Sequence, residues 1–277
     1  MKYFKPTTPS RRQMSVVDYS TLTKDKKPEK SLTFGFKRNY GRANGMITTR
    51  HKGGGNKRLY RLIDFKQDKP GVVGRVSSIE YDPNRGSFIA LICYMDGDKR
   101  YILAPSGLKE GDKVSCDANA ELKTGNRLPL SKIPVGYMVH NVELQPGKGG
   151  QIGRGAGVAV QVFAHEGGYA NLKMPSSEIR KVSENCMASL GTLSNPEHAF
   201  ANLGKAGKSR HLGRRPTVRG SAMNPCDHPH GGGEGRQPIG LPYPKTPQGK
   251  HALGKKTRNK HKLSNKFIVY GRKKKGK

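Results

Sequence analysis

Gly71-Val72-Val73-Gly74-Arg75-Val76-Ser77-Ser78-Ile79-Glu80-Tyr81, then Asp82-Pro83-Asn84-Arg85-Gly86, then Ser87-Phe88-Ile89-Ala90-Leu91-Ile92-Cys93-Tyr94 is the stretch that decides the fold. The first run reads as a strand, the second as a tight turn built from Asp, Pro and Gly, and the third as a strongly apolar strand. Upstream, Leu59 to Phe65 alternates as a strand with one buried face. Downstream, Asp96-Gly97-Asp98 reads as a hairpin turn, Arg100 to Ala104 as the returning strand, and Lys109 to Cys116 as a further short one. About five short strands without a convincing helix predict a small Greek-key barrel of the OB type.

Gly125 to Pro134 reads as a connection. Four more short strands follow at Met138–Leu144, Val158–Ala164, Tyr169–Met174 and Glu178–Val182, separated by Gly-rich turns. That spacing predicts a second small barrel of SH3-like size. Past about residue 200 the apolar periodicity fades. Ala199 to Ala206 reads as one or two helical turns, and Phe267-Ile268-Val269-Tyr270 is a short apolar exception near the end. The expected class is all-β: a basic arm over 1–58, an OB barrel over 59–125, an SH3-like barrel over 126–200, and a Gly/Pro-rich basic arm over 201–277.

The 277 residues carry 52 Lys+Arg against 20 Asp+Glu, a formal charge of +32. Residues 1–58 hold 15 basic and 3 acidic residues, a net +12, and residues 201–277 hold 20 and 2, a net +18. The stretch between them is nearly neutral at +2. Such an excess points to a polyanionic partner, and its location in the flanks makes the middle an ordinary globular region. Taken alone, a basic flank is equally compatible with a solvated tail. Cys93, Cys116, Cys186 and Cys226 show no CxxC pair, which argues against a zinc ribbon or disulfide scaffold. With no apolar leader at Met1–Gln13 and no run of about 18 apolar residues, no signal peptide or membrane partner is expected.

Met223-Asn224-Pro225-Cys226-Asp227-His228-Pro229-His230-Gly231-Gly232-Gly233-Glu234-Gly235-Arg236 is the least generic stretch. Asp227, His228 and His230 are of types that ligate metals or exchange protons, but no further ligand or nucleophile stands at useful spacing. A rigid RNA-contacting loop is the favoured reading, with Asn224, Asp227, His228, His230 and Arg236 as its contacts. Gly147 to Gly157 resembles a nucleotide cradle but lacks the GxGxxG pattern and runs into a strand, not a helix. Gly207-Lys208-Ser209 ends like a P-loop, yet Asn202 stands where a glycine is required. The better reading of Gly147–Gly157 is main chain reaching phosphates while Lys148 and Arg154 supply charge. Arg50-His51-Lys52-Gly53-Gly54-Gly55-Asn56-Lys57-Arg58 repeats that logic around a glycine triplet. Lys255, Lys256 and Arg258, and the Arg272–Lys275 run, add basic tail segments that are weak signals alone.

Together these segments resemble the bacterial-type form of the universal second protein of the large ribosomal subunit. The resemblance is carried by Lys5-Pro6-Thr7, Gly45-Met46-Ile47-Thr48-Thr49-Arg50-His51, Glu80-Tyr81-Asp82-Pro83-Asn84-Arg85, Pro146-Gly147-Lys148-Gly149-Gly150-Gln151, Leu203-Gly204-Lys205-Ala206-Gly207, Arg215-Pro216-Thr217-Val218-Arg219-Gly220 and the Met223–Arg236 loop. It implies an OB-fold followed by an SH3-like barrel, with both tails threaded into large-subunit rRNA. It further implies roles in assembly, subunit association and support of the peptidyl-transferase region. Arg85 and Arg154 match family arginines that bind rRNA, and Lys205, Arg214, Arg215 and Arg219 fall in or beside matched basic segments. His228 matches a histidine proposed to assist peptide-bond formation and is read here as a positioning residue, with no catalytic residue of the protein's own. One departure stands out: Pro247-Gln248-Gly249 replaces the family's Pro-Trp-Gly, which leaves the path of residues 237–253 open.

The expected partners are therefore large-subunit rRNA, small-subunit rRNA at an intersubunit bridge, and neighbouring ribosomal proteins, in the cytoplasmic ribosome. No small-molecule substrate or cofactor is expected, with room left for structural Mg2+ ions at the RNA interface. Two rivals are a nucleic-acid chaperone or translation factor built on the same barrels, and a metal-dependent hydrolase centred on Asp227, His228 and His230.

Overall fold

Residues 1–36 and 40–272 are described by the structure, a computed structural model, and their regular structure is almost entirely strand. Strand β1 (Lys2–Tyr3) pairs with β2 (Ser15–Val16). After β3 (Thr33–Gly35) comes a short hairpin, β4 (Arg42–Ala43) and β5 (Met46–Ile47); β6 (Leu59–Arg61) then pairs back onto β3.

The alternation that opened the sequence becomes a meander of β7 (Gly74–Glu80), β8 (Ile89–Tyr94) and β9 (Lys99–Leu103), and β10 (Lys113–Val114) returns beside β7. A fourth strand lying beside the first is Greek-key order, the topology of the OB-type barrel. The apolar run of β8 is explained by burial on both faces. Ala90, Ile92 and Tyr94 pack with Val76 and Val114 on one side. Ile89 and Leu91 pack with Tyr101, Leu32 and Ile63 on the other. Fully burying each Val, Leu or Ile among them contributes about 1.5–3 kcal/mol.

The second barrel contains β11 (Arg127–Pro129), β12 (Met138–His140), β13 (Val160–Glu166), β14 (Tyr169–Lys173), β15 (Ile179–Ser183) and β16 (Met187–Leu190). Strands β12 to β15 form a meander and β16 pairs back onto β12, so the last strand closes against the first in SH3-like order. Val139, Val160, Val162, Leu172 and Leu190 fill its core. The expected connection over 125–134 is corrected here, because it contains β11, paired to β16 in register Arg127↔Ser189. A basic residue disguised that strand: Arg127 is wholly buried and ion-paired to Glu143 at 3.0 Å. The apolar exception near the end becomes β17 (Ile268–Tyr270), which extends the sheet beside β15. The helical turn expected at Ala199–Ala206 is displaced to either side, as a 3-10 turn at Pro196–Phe200 and a short helix at Ala206–His211.

Two compact units result, one from Met1–Lys37, Lys57–Lys208 and Lys266–Lys277, the other from Arg38–Asn56 and Ser209–Asn265. Both basic flanks thus contribute to both units. The first unit holds both barrels and every core cluster. In the second, His228 is the only buried side chain among the described residues. Among the described residues no helix is long and apolar enough to cross a membrane. The basic run expected after Arg272 lies outside the described residues.

Candidate nucleic-acid interface

Asp82 begins the turn that sets Arg85. Its buried carboxylate accepts the Asn84 main-chain N–H at 2.9 Å and meets Arg85 Nε in an ion pair at 2.6 Å that lacks hydrogen-bond alignment. Arg58 donates to the Pro83 carbonyl at 2.6 Å, and Asn84 Nδ2 to the Leu59 carbonyl at 2.8 Å, so strand β6 and the turn are clamped together. The Arg85 guanidinium sits 5.9 Å from the ring centres of both Tyr60 and Phe65. Arg154 lies over the same Phe65 ring at 4.2 Å. Partial burial and the neighbouring Arg85 charge hold the Arg154 pKa below its ordinary value. Two like-charged guanidiniums on one ring cost Coulomb energy that the Asp82 carboxylate offsets at Arg85 alone, so a further anion at Arg154 would be stabilised. The structure therefore brings together the two arginines that the sequence places about seventy residues apart.

The glycines beside Arg154 do something other than expected. Gly147 and Gly149 donate their N–H groups to the Glu143 carboxylate, each at 3.1 Å, and Gly150 donates to the Phe65 carbonyl at 2.9 Å. Glu143 also accepts from Arg127 at 3.0 Å and from the Met187 N–H at 3.2 Å. The expected main-chain contacts from these three glycines to phosphate are thus corrected: two of their donors are spent inward on a buried carboxylate and the third on a main-chain carbonyl. Gly150 is a true requirement, since a Cβ there would collide with Asn141. What the loop presents outward is Lys148, exposed and hydrogen-bonded only to Gln145 at 3.2 Å.

The Arg50–Arg58 motif divides in the same spirit. Lys57 and Arg58 stay with the barrels, whereas Arg50, His51, Lys52 and the glycine triplet belong to the second unit. There the Gly53 N–H donates to the Gly213 carbonyl at 2.8 Å, the Arg215 main-chain N–H to the His51 carbonyl at 3.1 Å, and the Lys52 backbone pairs with that of Arg214 in an antiparallel bridge. Gly55, at φ +65°, lies so close to His211 and Gly213 that any Cβ would strike their backbone. The triplet serves backbone-on-backbone packing, and the arginines around it project from that ribbon.

A groove of about 850 Å³ in this unit is lined by Arg50, His51, Lys52, Arg215, Asp227 and His228, with Gly220 beside them. His228 packs against Gly220, where an added Cβ would sit 2.5 Å from the ring. The His230 N–H donates to His228 Nδ1 at 3.0 Å, and the Lys245 N–H donates to His230 Nε2 at 2.9 Å. A nitrogen that accepts from a main-chain N–H carries no proton, so these two bonds fix both tautomers. The same two bonds occupy one lone pair on each ring, which leaves a metal reading of Asp227, His228 and His230 without its full ligand set. Burial, then the nearby His230 and Arg50, push the His228 pKa down, which keeps the ring neutral.

The remaining expected contacts are dispersed. Arg219 caps the 3-10 turn at Gly220–Ala222; Asn224 accepts the Asp227 and His228 N–H groups; Arg236, Lys205, Lys255 and Lys256 are exposed. Arg258 is drawn to Asn265 and Ser264 at 2.8 and 3.1 Å. Within residues 237–253, 244–252 form a small hairpin, with the Lys245↔His251 bridge, the Thr246 N–H on Lys250 O at 2.7 Å, and the Tyr243 ring tilted 4.0 Å from His251. Sequence reasoning missed Phe65, Tyr60, Glu143 and Arg127; the aromatic spacing around β6 was the one legible signal.

Two small β-barrels with arginines displayed at their joined surface, plus a cationic unit that has no core, define an RNA-binding structural protein. The model described as "Ribosomal Proteins L2, RNA binding N-terminal domain" matches residues 29–116, and "Ribosomal Proteins L2, C-terminal domain" matches residues 123–249. The chain belongs to the ribosomal L2 family. It is accordingly a structural, RNA-binding component of the large subunit of the cytoplasmic ribosome, with rRNA and ribosomal proteins as partners.

Proposed function

We propose that the chain supports assembly of the large subunit and the order of its peptidyl-transferase region, and helps bridge to small-subunit rRNA. In this reading the barrels over 59–125 and 126–200 set orientation, while the flanks over 1–58 and 201–277 enter the RNA. Arg85, Arg154 and Lys148 engage phosphates from the first unit. Arg50, Lys52, Arg215 and the His228 loop do so from the second. His228 acts by position: its accepting nitrogen is already used, so it is a poor general base and a good spacer.

The observation that carries this reading is the second unit's lack of a core. A cationic ribbon that buries one side chain among its described residues cannot offset about 1–2 kcal/mol of backbone entropy per fixed residue by itself, and a polyanion supplies the missing energy. Affinity then falls with salt by about 0.7–0.9 log units per log unit of salt for each phosphate engaged. The test is sedimentation of native large subunits through a high-salt wash with His228→Ala and Arg85→Ala/Arg154→Ala chains. His228→Ala should assemble normally, and the arginine pair variant should wash off. Washing off of the unmodified chain would sink the structural role.

A further inference from the structure

Strand β3 carries Phe34, and Phe36 follows just past its end; its partner β6 carries Tyr60 directly opposite Phe34. The rings lie on one face of this two-stranded ribbon. Phe34 and Tyr60 are 5.1 Å apart, Phe36 and Tyr60 5.9 Å. Phe34 remains 44% exposed and Phe36 48%. A pair of short strands is marginal alone, and placing the Phe34 and Tyr60 rings at its surface costs solvation unless something covers them. The row does not end there: Arg85 stands beside Tyr60, Phe65 beside Arg85, and Arg154 over Phe65. Among the described residues no carboxylate lies in ion-pairing range of Arg154.

Aromatic faces interleaved with guanidiniums are the chemistry of a single-stranded nucleic-acid track. Rings stack on bases, which double helices keep hidden, and arginines hold the phosphates between them. The cationic border disfavours an apolar protein segment, and the positive charge of the chain matches an RNA backbone. The geometry points to Phe34 and Tyr60 as a stacking platform for one or two unpaired bases of an rRNA loop or bulge, whose phosphates reach Arg85 and Arg154. This deepens the RNA-binding reading and rests on it. The N-terminal strand pair thereby becomes a base-contacting element, reading unstacked RNA and not charge alone.

The test uses the full chain against three probes: a short single-stranded oligoadenylate, an abasic oligonucleotide of equal length, and a double-stranded RNA. Phe34→Leu/Tyr60→Leu keeps apolar bulk and removes the π faces. It should weaken oligoadenylate binding roughly tenfold, the loss of about one stacked base, while abasic and duplex affinities and all salt slopes stay unchanged. Tyr60→Phe should restore the affinity. Equal loss on all three probes, or no loss on oligoadenylate, overturns the platform. Unmodified chain that binds oligoadenylate and abasic strands equally tightly also overturns it, leaving electrostatic RNA binding intact. Failure of the unmodified chain to bind any probe would instead sink the RNA reading beneath it.

Discussion

The two units contrast in how they hold a main chain still. The barrels bury apolar side chains and spend their polar groups on one another: Glu143, deep in the second barrel, gathers Arg127 and three main-chain donors around one carboxylate. The second unit is as rich in glycine and uses the same hydrogen-bond types, but among its described residues only His228 is buried. Glycine-rich basic segments that look alike in sequence are thus finished parts in one unit and parts awaiting a partner in the other. Hydrogen bonds alone contribute about 0.5–1.5 kcal/mol net each, too little to replace a core.

Limited proteolysis of the free chain tests the contrast most severely. Cleavage should fall first within residues 40–56 and 209–265, with the barrels surviving long after, and both stretches should be protected in assembled subunits. Equal resistance would show that the second unit needs no RNA. Next in size, Glu143→Ala strands the Arg127 charge in the barrel interior and should destabilise the first unit by about 3–5 kcal/mol in denaturant unfolding, with no change in cleavage of 209–265.

A pH titration of stability separates the units further. Burial, opposed by the bond to Gly191 O at 2.9 Å and helped by the Arg127 charge, pushes the His140 pKa down to about 4. The unfolded chain takes up its proton near 6.5 and the folded barrel only near 4, so stability is full above 6.5 and is lost as pH falls between these values. The loss is roughly 3 kcal/mol, and His140→Gln should remove it. Smallest, Gly220→Ala should push His228 aside at a local cost of about 1–3 kcal/mol, visible as a shifted imidazole resonance and faster cleavage near residue 228 while barrel melting is unchanged.

The β7–β9 meander and the β13–β15 hairpins were legible because alternation and turn residues report a half-buried strand directly. Strand β11 was illegible because it opens on an arginine whose partner, Glu143, is remote in sequence. Arg85 and Arg154 were singled out in the sequence one residue at a time, but their meeting at Phe65 depends on a shared ring that no local pattern marks. The second unit was hidden for another reason. It is assembled from contacts between residues near 50 and residues near 213, and backbone-to-backbone packing leaves no hydropathic period to read.

A unit whose described residues bury a single side chain also has a thermal signature. The heat capacity of unfolding comes chiefly from apolar surface newly exposed to water, and here almost none is hidden to begin with. Loss of order in that ribbon would add neither a step in heat capacity nor a sharp transition to a calorimetric scan. The melting temperature of the free chain therefore reports the barrels alone.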